Sequence, residues 1–316
     1  MTAPIFFRDP QLSSRYRPEV VLSDPSGNIS TAKWSNTACY PDKYQKAAAS
    51  SAQLRKGDKG ICSVDLIGED IAMTAGHCFD KMVTVPYRNR YGTLYYKQQP
   101  ETQPFASANA LAKTMSITFG YAGSGCASCG DAAEGTKTYR VVELLEYRKD
   151  GLDYALIRLA GKPGKSHPIA KIALKTLNGE PVFLVQYPDG LPQKIDRGHL
   201  TCRDGRCNTA ITTNIDTYGG SSGANYRDKK TFLVANHSGG DSASSHNYAL
   251  GMLAIYFASS FVTEILHNEF KPSTTEKTLN YVASILAFTI IGYFVGWVLE
   301  KAFKQNQATR AQTKEP

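Results

Sequence analysis

An all-β fold, either a barrel or a sandwich, is what the sequence predicts, and three observations carry it. Short strand-like stretches recur over residues 61–68, 70–75, 115–119, 139–145, 154–159, 181–187, 208–215 and 231–235. Turn residues rich in Gly and Pro bound them, a pattern that marks many short strands joined by tight connections. The composition, 42% hydrophobic and 20% charged, suits a chain that buries a core rather than a disordered one.

The 316 residues allow one large domain or two modest ones plus appendages. Thirty-six Lys and Arg against 28 Asp and Glu leave a net charge of +8. That balance is compatible with anionic membranes or nucleic acid. No run of Lys and Arg is longer than two residues, however, so the charge reads as a solvated surface and no nucleic-acid role is expected.

Residues 1–50 read as an extension, partly ordered and draped over the main domain. Ile5-Phe6-Phe7 is too short for the apolar core of a secretory signal, and Arg8-Asp9-Pro10 follows at once. Five prolines punctuate the segment, and Glu19-Val20-Val21-Leu22 is its one strand-like piece. The main domain is expected over 51–270. It opens with a hairpin made of 61–68 and 70–75. Residues 88–136, rich in Gly, Ser and Ala, read as a long irregular insertion at the surface. Residues 259–270 are helix-like, with Phe261, Ile265 and Leu266 on one stripe.

A polar linker over 271–278 leads to residues 279–299, a run of 21 without a charged side chain. About 20 such residues cross a bilayer as a helix. Tyr281 and Trp297 lie near its ends, where amphipathic rings favour the interface. A transmembrane helix is therefore expected, followed by a charged tail over 300–316. Gly292 and Gly296 form a small-xxx-small pair, a weak suggestion of a dimer.

Chemistry concentrates in three places. Asp216-Thr217-Tyr218-Gly219-Gly220-Ser221-Ser222-Gly223 sets a serine in a glycine-rich turn. Such a turn lifts a hydroxyl clear and can aim successive N–H groups at one point. By itself it is also an ordinary flexible loop. Thr74-Ala75-Gly76-His77-Cys78 closes the expected hairpin, and Asp153 stands at the mouth of the apolar strand 154–159. A carboxylate accepting from one imidazole nitrogen fixes the tautomer and leaves the other nitrogen as a general base. The chain order His77, Asp153, Ser222 is one of the known orders of an acyl-transfer triad. No metal-ligand set and no cofactor motif accompany it.

These motifs together resemble the trypsin-like (chymotrypsin-fold) serine endopeptidases, with most likeness to their glutamyl-endopeptidase, or V8-like, branch. The resemblance covers roughly residues 55–270. The chain departs from the pattern in carrying Gly76 where Ala is usual, Ser221 where an acid or amide precedes the nucleophile, and Ala224-Asn225 after it. The resemblance implies a double six-stranded β-barrel with a short C-terminal helix. It assigns Ser222 as nucleophile, His77 as general base and Asp153 as its orienting acid. Backbone N–H groups of Gly220 and Ser222 become the oxyanion hole, and Ser238 hydrogen-bonds Asp153 from behind. The missing acid before Ser222 argues against activation by a freed amino terminus.

For the pocket that holds the side chain before the cleaved bond, two readings compete. Asp216, six residues before Ser222, matches the acid with which trypsins bind Lys or Arg. Thr217 and His237, in Asn236-His237-Ser238-Gly239-Gly240, match the donors with which glutamyl endopeptidases bind a carboxylate. The second reading is preferred, with cleavage after Glu or Asp and with Lys or Arg second. The rival function is an inactive homologue that binds a protein partner at the membrane.

Seven cysteines leave at least one without an internal mate. The resemblance implies a Cys62–Cys78 bridge. Cys202 and Cys207 bracket an Asp-Gly turn and suit a bridge across a hairpin. Cys126 and Cys129 read as a loop disulfide, or one of them as the mate of Cys39. Two structural bridges argue for an oxidising compartment, while the absent signal argues the other way. Lys301, Lys304, Arg310 and Lys314 outnumber Lys271 and Lys277 around the apolar run. This bias places the tail in the cytosol and the catalytic domain outside; a tail-anchored protein facing the cytosol is the alternative.

Overall fold

The computed structural model describes residues 32–88, 94–123, 135–149, 151–175, 178–203, 207, 209–212, 214–241 and 246–269. The chain divides into two compact units, Met1–Ile265 and Leu266–Pro316. The apolar run 279–299, its linker and the tail lie outside the described residues. Among the described residues no helix is long and apolar enough to cross a membrane.

The fold is an all-β double barrel with few helices. Strand β1 (Ser35–Asn36) and helix α1 (Asp42–Ala48) come first. The first barrel follows, closed by six strands in the order β2-β3-β4-β9-β8-β7. These are β2 (Ser51–Lys56), β3 (Lys59–Leu66), β4 (Ile71–Thr74), β7 (Met115–Phe119), β8 (Lys137–Arg148) and β9 (Tyr154–Leu159). Alternate residues point inward along each strand, and Leu54, Val64, Ile117, Leu144 and Ile157 meet in the barrel core.

The second sheet contains β10 (Glu180–Gln186), β11 (Lys194–Cys202), β12 (Thr209–Thr212), β13 (Asn225–Arg227), β14 (Leu233–Asp241) and β15 (His246–Gly251). Its order is β1-β11-β10-β13-β14-β15-β12, and an added β11–β12 pairing closes the ring. Strand β10 shows why the N-terminal segment is needed. Val182 and Leu184 face the barrel core, while Phe183 and Val185 face outward. Helix α1 covers that outer face with Ala48, and Tyr44 meets Phe183 edge-on at 4.8 Å between ring centroids.

Two expectations need correction here. Residues 32–50 are not merely draped: β1 pairs with β11, Ser35 opposite Ile195 and Asn36 opposite Lys194. Residues 88–136 are not irregular throughout. Strand β5 (Lys81–Arg88) pairs along its whole length with β6 (Leu94–Glu101), and α2 (Phe105–Ala112) seats Ala108 and Ala112 in the first core. The alanine content that suggested a loose insertion instead lets a helix sit close on the barrel. Helices α3 (Met252–Ala258) and α4 (Ser260–Glu269) end the described chain. Ser259 caps α4 by accepting the Val262 N–H at 3.1 Å.

Polar bridges lock the barrels together. Arg227 of β13 donates to Asp65 of β3, and both side chains are 1% exposed. Ser51 donates to the same carboxylate oxygen at 2.6 Å, and Asn225 Nδ2 donates to the other oxygen at 2.8 Å. Burying a charge is tolerable only with such company.

Candidate active site

Three chain segments deliver the candidate triad to the cleft between the barrels. His77 sits on a single turn of 3-10 helix, Gly76–Phe79, between β4 and β5. The Cys62–Cys78 disulfide, 2.04 Å between sulfurs, ties that turn to β3. Asp153 immediately precedes β9, and Ser222 lies in the turn between β12 and β13.

The three side chains form a relay. His77 Nδ1 lies 2.7 Å from Asp153 Oδ2, and Nε2 lies 2.6 Å from Ser222 Oγ. The backbone N–H of His77 donates to Asp153 Oδ1 at 2.8 Å. Burial pushes the Asp153 carboxyl up, but the His77 charge, the Lys149 ammonium and the two hydrogen bonds from His77 outweigh it. The group is held well below the usual carboxylate range. An ionised Asp153 can only accept, so Nδ1 carries the proton and the Nε2 lone pair faces the serine hydroxyl. The Ser222 proton can therefore pass to Nε2 as Oγ attacks an acyl carbon.

The turn around Ser222 is held from both barrels. Ser63 of β3 donates its backbone N–H to the Ser222 carbonyl and its hydroxyl to the Gly220 carbonyl, each at 2.8 Å. The Ser63 hydroxyl in turn accepts the Tyr187 N–H at 2.9 Å. Gly223 N–H donates to the His237 carbonyl at 2.8 Å. Ser221, which stands where an acid or amide was expected, accepts the Tyr218 N–H on its hydroxyl at 3.1 Å. The turn is thus closed without that acid.

Gly220 has φ +99°, and a Cβ there would lie 2.6 Å from the Tyr187 carbonyl, so a side chain is excluded. The Gly219 carbonyl accepts the Asp189 N–H at 2.5 Å. No cis peptide occurs among the described residues, so the N–H of Gly220 points the opposite way from that carbonyl. A cavity of about 860 Å³ opens beside the relay, lined by His77, Ser222, Gly219, Gly220 and the Cys62–Cys78 bridge.

Residues 60–235, more than half of the chain, match the family described as a trypsin-like peptidase domain. The chain belongs to that family. Two solved structures are similar to this trypsin-like domain. A Glu endopeptidase in complex with MPD is 20% identical with a TM-score of 0.46, covering 70% of this chain and 90% of that one. A mutant of human heparin binding protein is 12% identical with a TM-score of 0.47, covering 71% of this chain and 93% of that one. No curated protein sequence matches.

The expected pocket residues of the trypsin-like domain lie deeper than the triad. Asp216, Thr217 and His237 are fully buried. The Asp216 carboxylate accepts the Lys33 N–H at 2.7 Å, from the segment just before β1. Its backbone N–H donates to Asp196, whose carboxyl is pushed up to about 6, chiefly by burial and in part by the charge of Asp216. The Thr217 hydroxyl donates to Asn247 Oδ1 at 2.7 Å, and His237 Nδ1 lies 3.0 Å from the Tyr226 hydroxyl. Ser238 sits at a register shift in β14. The hydrogen-bond and ion-pair partners shown for Asp153 are His77 and Lys149, not Ser238. The Cys62–Cys78 and Cys202–Cys207 bridges are both formed, while Cys126 and Cys129 lie outside the described residues.

Sequence reasoning did not single out Ser63, Asp189 or Lys149. Ser63 and Asp189 act through backbone groups of remote turns, which no local pattern marks. Lys149 is visible only as a lysine four residues before Asp153.

Proposed function

We propose that this chain is a serine endopeptidase that cleaves proteins through a His77–Asp153–Ser222 triad and an acyl-enzyme intermediate. One observation carries the reading. The Nε2 of an imidazole held at Nδ1 by Asp153 stands 2.6 Å from a serine hydroxyl in a glycine turn. Ser222 attacks, His77 takes the proton and returns it to the leaving amine, and Asp153 stabilises the transient imidazolium. The N–H groups of Gly220 and Ser222 are the donors for the oxyanion. A fluorophosphonate probe tests the reading: it should label Ser222 of the native chain, and absence of labelling in folded protein favours an inactive partner-binding homologue.

The proposed specificity is for Glu or Asp before the cleaved bond, as in the V8-like branch. The Asp216 carboxylate is fully buried and one of its oxygens is already engaged by the Lys33 N–H, which weakens its case as a receptor for Lys or Arg. His237 is the donor for a substrate carboxylate, and the Thr217 hydroxyl joins it only by turning its proton away from Asn247 Oδ1. In a peptide library, His237→Ala should lower kcat/KM after Glu by about 10–100-fold, the worth of one charge-assisted hydrogen bond. Cleavage after Lys or Arg that His237→Ala spares and Asp216→Ala removes would reverse the assignment.

The apolar run 279–299 is proposed to tether the enzyme to a bilayer, so that its substrates are proteins near that membrane. Deleting residues 277–316 should release an active enzyme into the soluble fraction, since every proposed catalytic residue precedes the deletion. Retention of the shortened protein in the membrane pellet speaks against the tether.

A further inference from the structure

Lys149 stands one residue past the end of β8, against the rear of the triad. Its ammonium lies 3.1 Å from Asp80 Oδ2 and 3.6 Å from Asp153 Oδ1. Asp80 directly follows the His77 turn, and its side chain is 2% exposed. Two carboxylates therefore share one ammonium beside one imidazole.

A departure in the histidine motif fits this arrangement. A Cβ on residue 76 would lie 2.5 Å from the Arg148 carbonyl and 3.1 Å from Asp153 Oδ1. Glycine at that position lets the end of β8 close over the His77 turn, and that close approach brings Lys149 to Asp153. The motif change and the extra cation are thus two aspects of one local arrangement.

We infer that Lys149 is a positioning residue that sets the basicity of His77 by sharing the Asp153 carboxylate with it and offsetting the second acid, Asp80. This inference rests on the triad reading above. The charge count gives the direction. With Lys149 present, Asp80 and Asp153 leave one net negative charge behind His77. Without it they leave two, which would overstabilise the imidazolium and keep the base protonated to higher pH.

The charged and titratable groups facing this cluster come from each neighbouring element. They are His77 and Asp80 from the turn, Lys149 and the Tyr147 phenol from the end of β8, and Asp153 before β9. Tyr147 donates to Asp80. Burial, with the Asp80 hydrogen bond and charge, pushes that phenol up, so it stays neutral across the working range.

The test is a titration of the His77 imidazole by NMR in the full chain carrying histidine labelled at Cε1, with the signal assigned by its loss in His77→Gln. Lys149→Met should move the midpoint up by about 0.5–1 in pH, as expected for a partly screened cation close behind the ring. Lys149→Gln should do the same, and Lys149→Arg should restore the native midpoint. The Lys149 side chain is 22% exposed, so its loss should leave the protein folded. An unmoved midpoint in folded Lys149→Met and Lys149→Gln, or an equal shift in Lys149→Arg, overturns the inference. The acid limb of kcat/KM should follow the titration. If the titration shifts but no hydrolysis is found in any form, the peptidase reading fails while the tuning role of Lys149 stands.

Discussion

Ser222→Ala should lower kcat/KM by about 10⁴–10⁶-fold and abolish fluorophosphonate labelling, with the thermal midpoint nearly unchanged. The substitution removes one oxygen, which lies 2.6 Å from His77 Nε2. It leaves the backbone contacts that hold the turn, including the Ser63 N–H on the Ser222 carbonyl at 2.8 Å. The loss is therefore chemical rather than structural. Ser221→Ala is the control. Its hydroxyl accepts the Tyr218 N–H at 3.1 Å, so its removal loosens the turn but leaves the nucleophile in place. Labelling should survive in Ser221→Ala at a reduced rate. Hydrolysis by pure Ser222→Ala at the native rate would dismiss the assignment.

The sequence makes the segments of the proposed triad easy to read because each sits where local patterning changes. The His77 turn ends an apolar hairpin, Asp153 opens the apolar strand β9, and Ser222 lies in a cluster of glycines that marks a turn. Of the two bridges, Cys202–Cys207 is readable locally as a pair bracketing an Asp-Gly turn, whereas Cys62–Cys78 comes from the family resemblance. What holds these segments in register is much harder to see. Ser63 touches Gly220 across 157 positions, and Arg227 touches Asp65 across 162. No window of sequence contains both partners. Strand β1 was hidden because two residues give no alternation to detect, and its place depends on the edge offered by β11. Strands β5 and β6 were hidden because each is defined by its pairing with the other, which no single stretch displays. Lys149 was overlooked because a lysine near an aspartate is ordinary on a surface. Its meaning comes from the chain reversal that folds it behind His77.

The largest effect on stability should come from Arg227→Met, which is expected to cost about 3–5 kcal/mol. Arg227 and Asp65 are each 1% exposed, so removing the cation leaves a carboxylate sealed from water. The hydroxyl of Ser51 and the amide of Asn225 still donate to it, at 2.6 and 2.8 Å, but neither neutralises it. The Arg227 guanidinium also donates to the Ser50 hydroxyl at 2.8 Å, which would lose that donor while keeping its own bond to the Ala47 carbonyl at 2.9 Å. Asp65→Leu combined with Arg227→Met should recover part of the loss, because an apolar pair needs no solvation. Recovery should be incomplete, since the donors on Ser51 and Asn225 then lack their acceptor. Activity should fall with stability. Asn225 also accepts from Asn236 at 3.0 Å, and Asn236 donates to the Gly223 carbonyl at 3.2 Å, so the network ends one residue past the nucleophile. Urea unfolding reads the energy, and kcat/KM measured well below the transition reads the geometry. A cost under about 1 kcal/mol for Arg227→Met would mean that water reaches Asp65. The inter-barrel network would then lose its place as what seats Ser222 against His77.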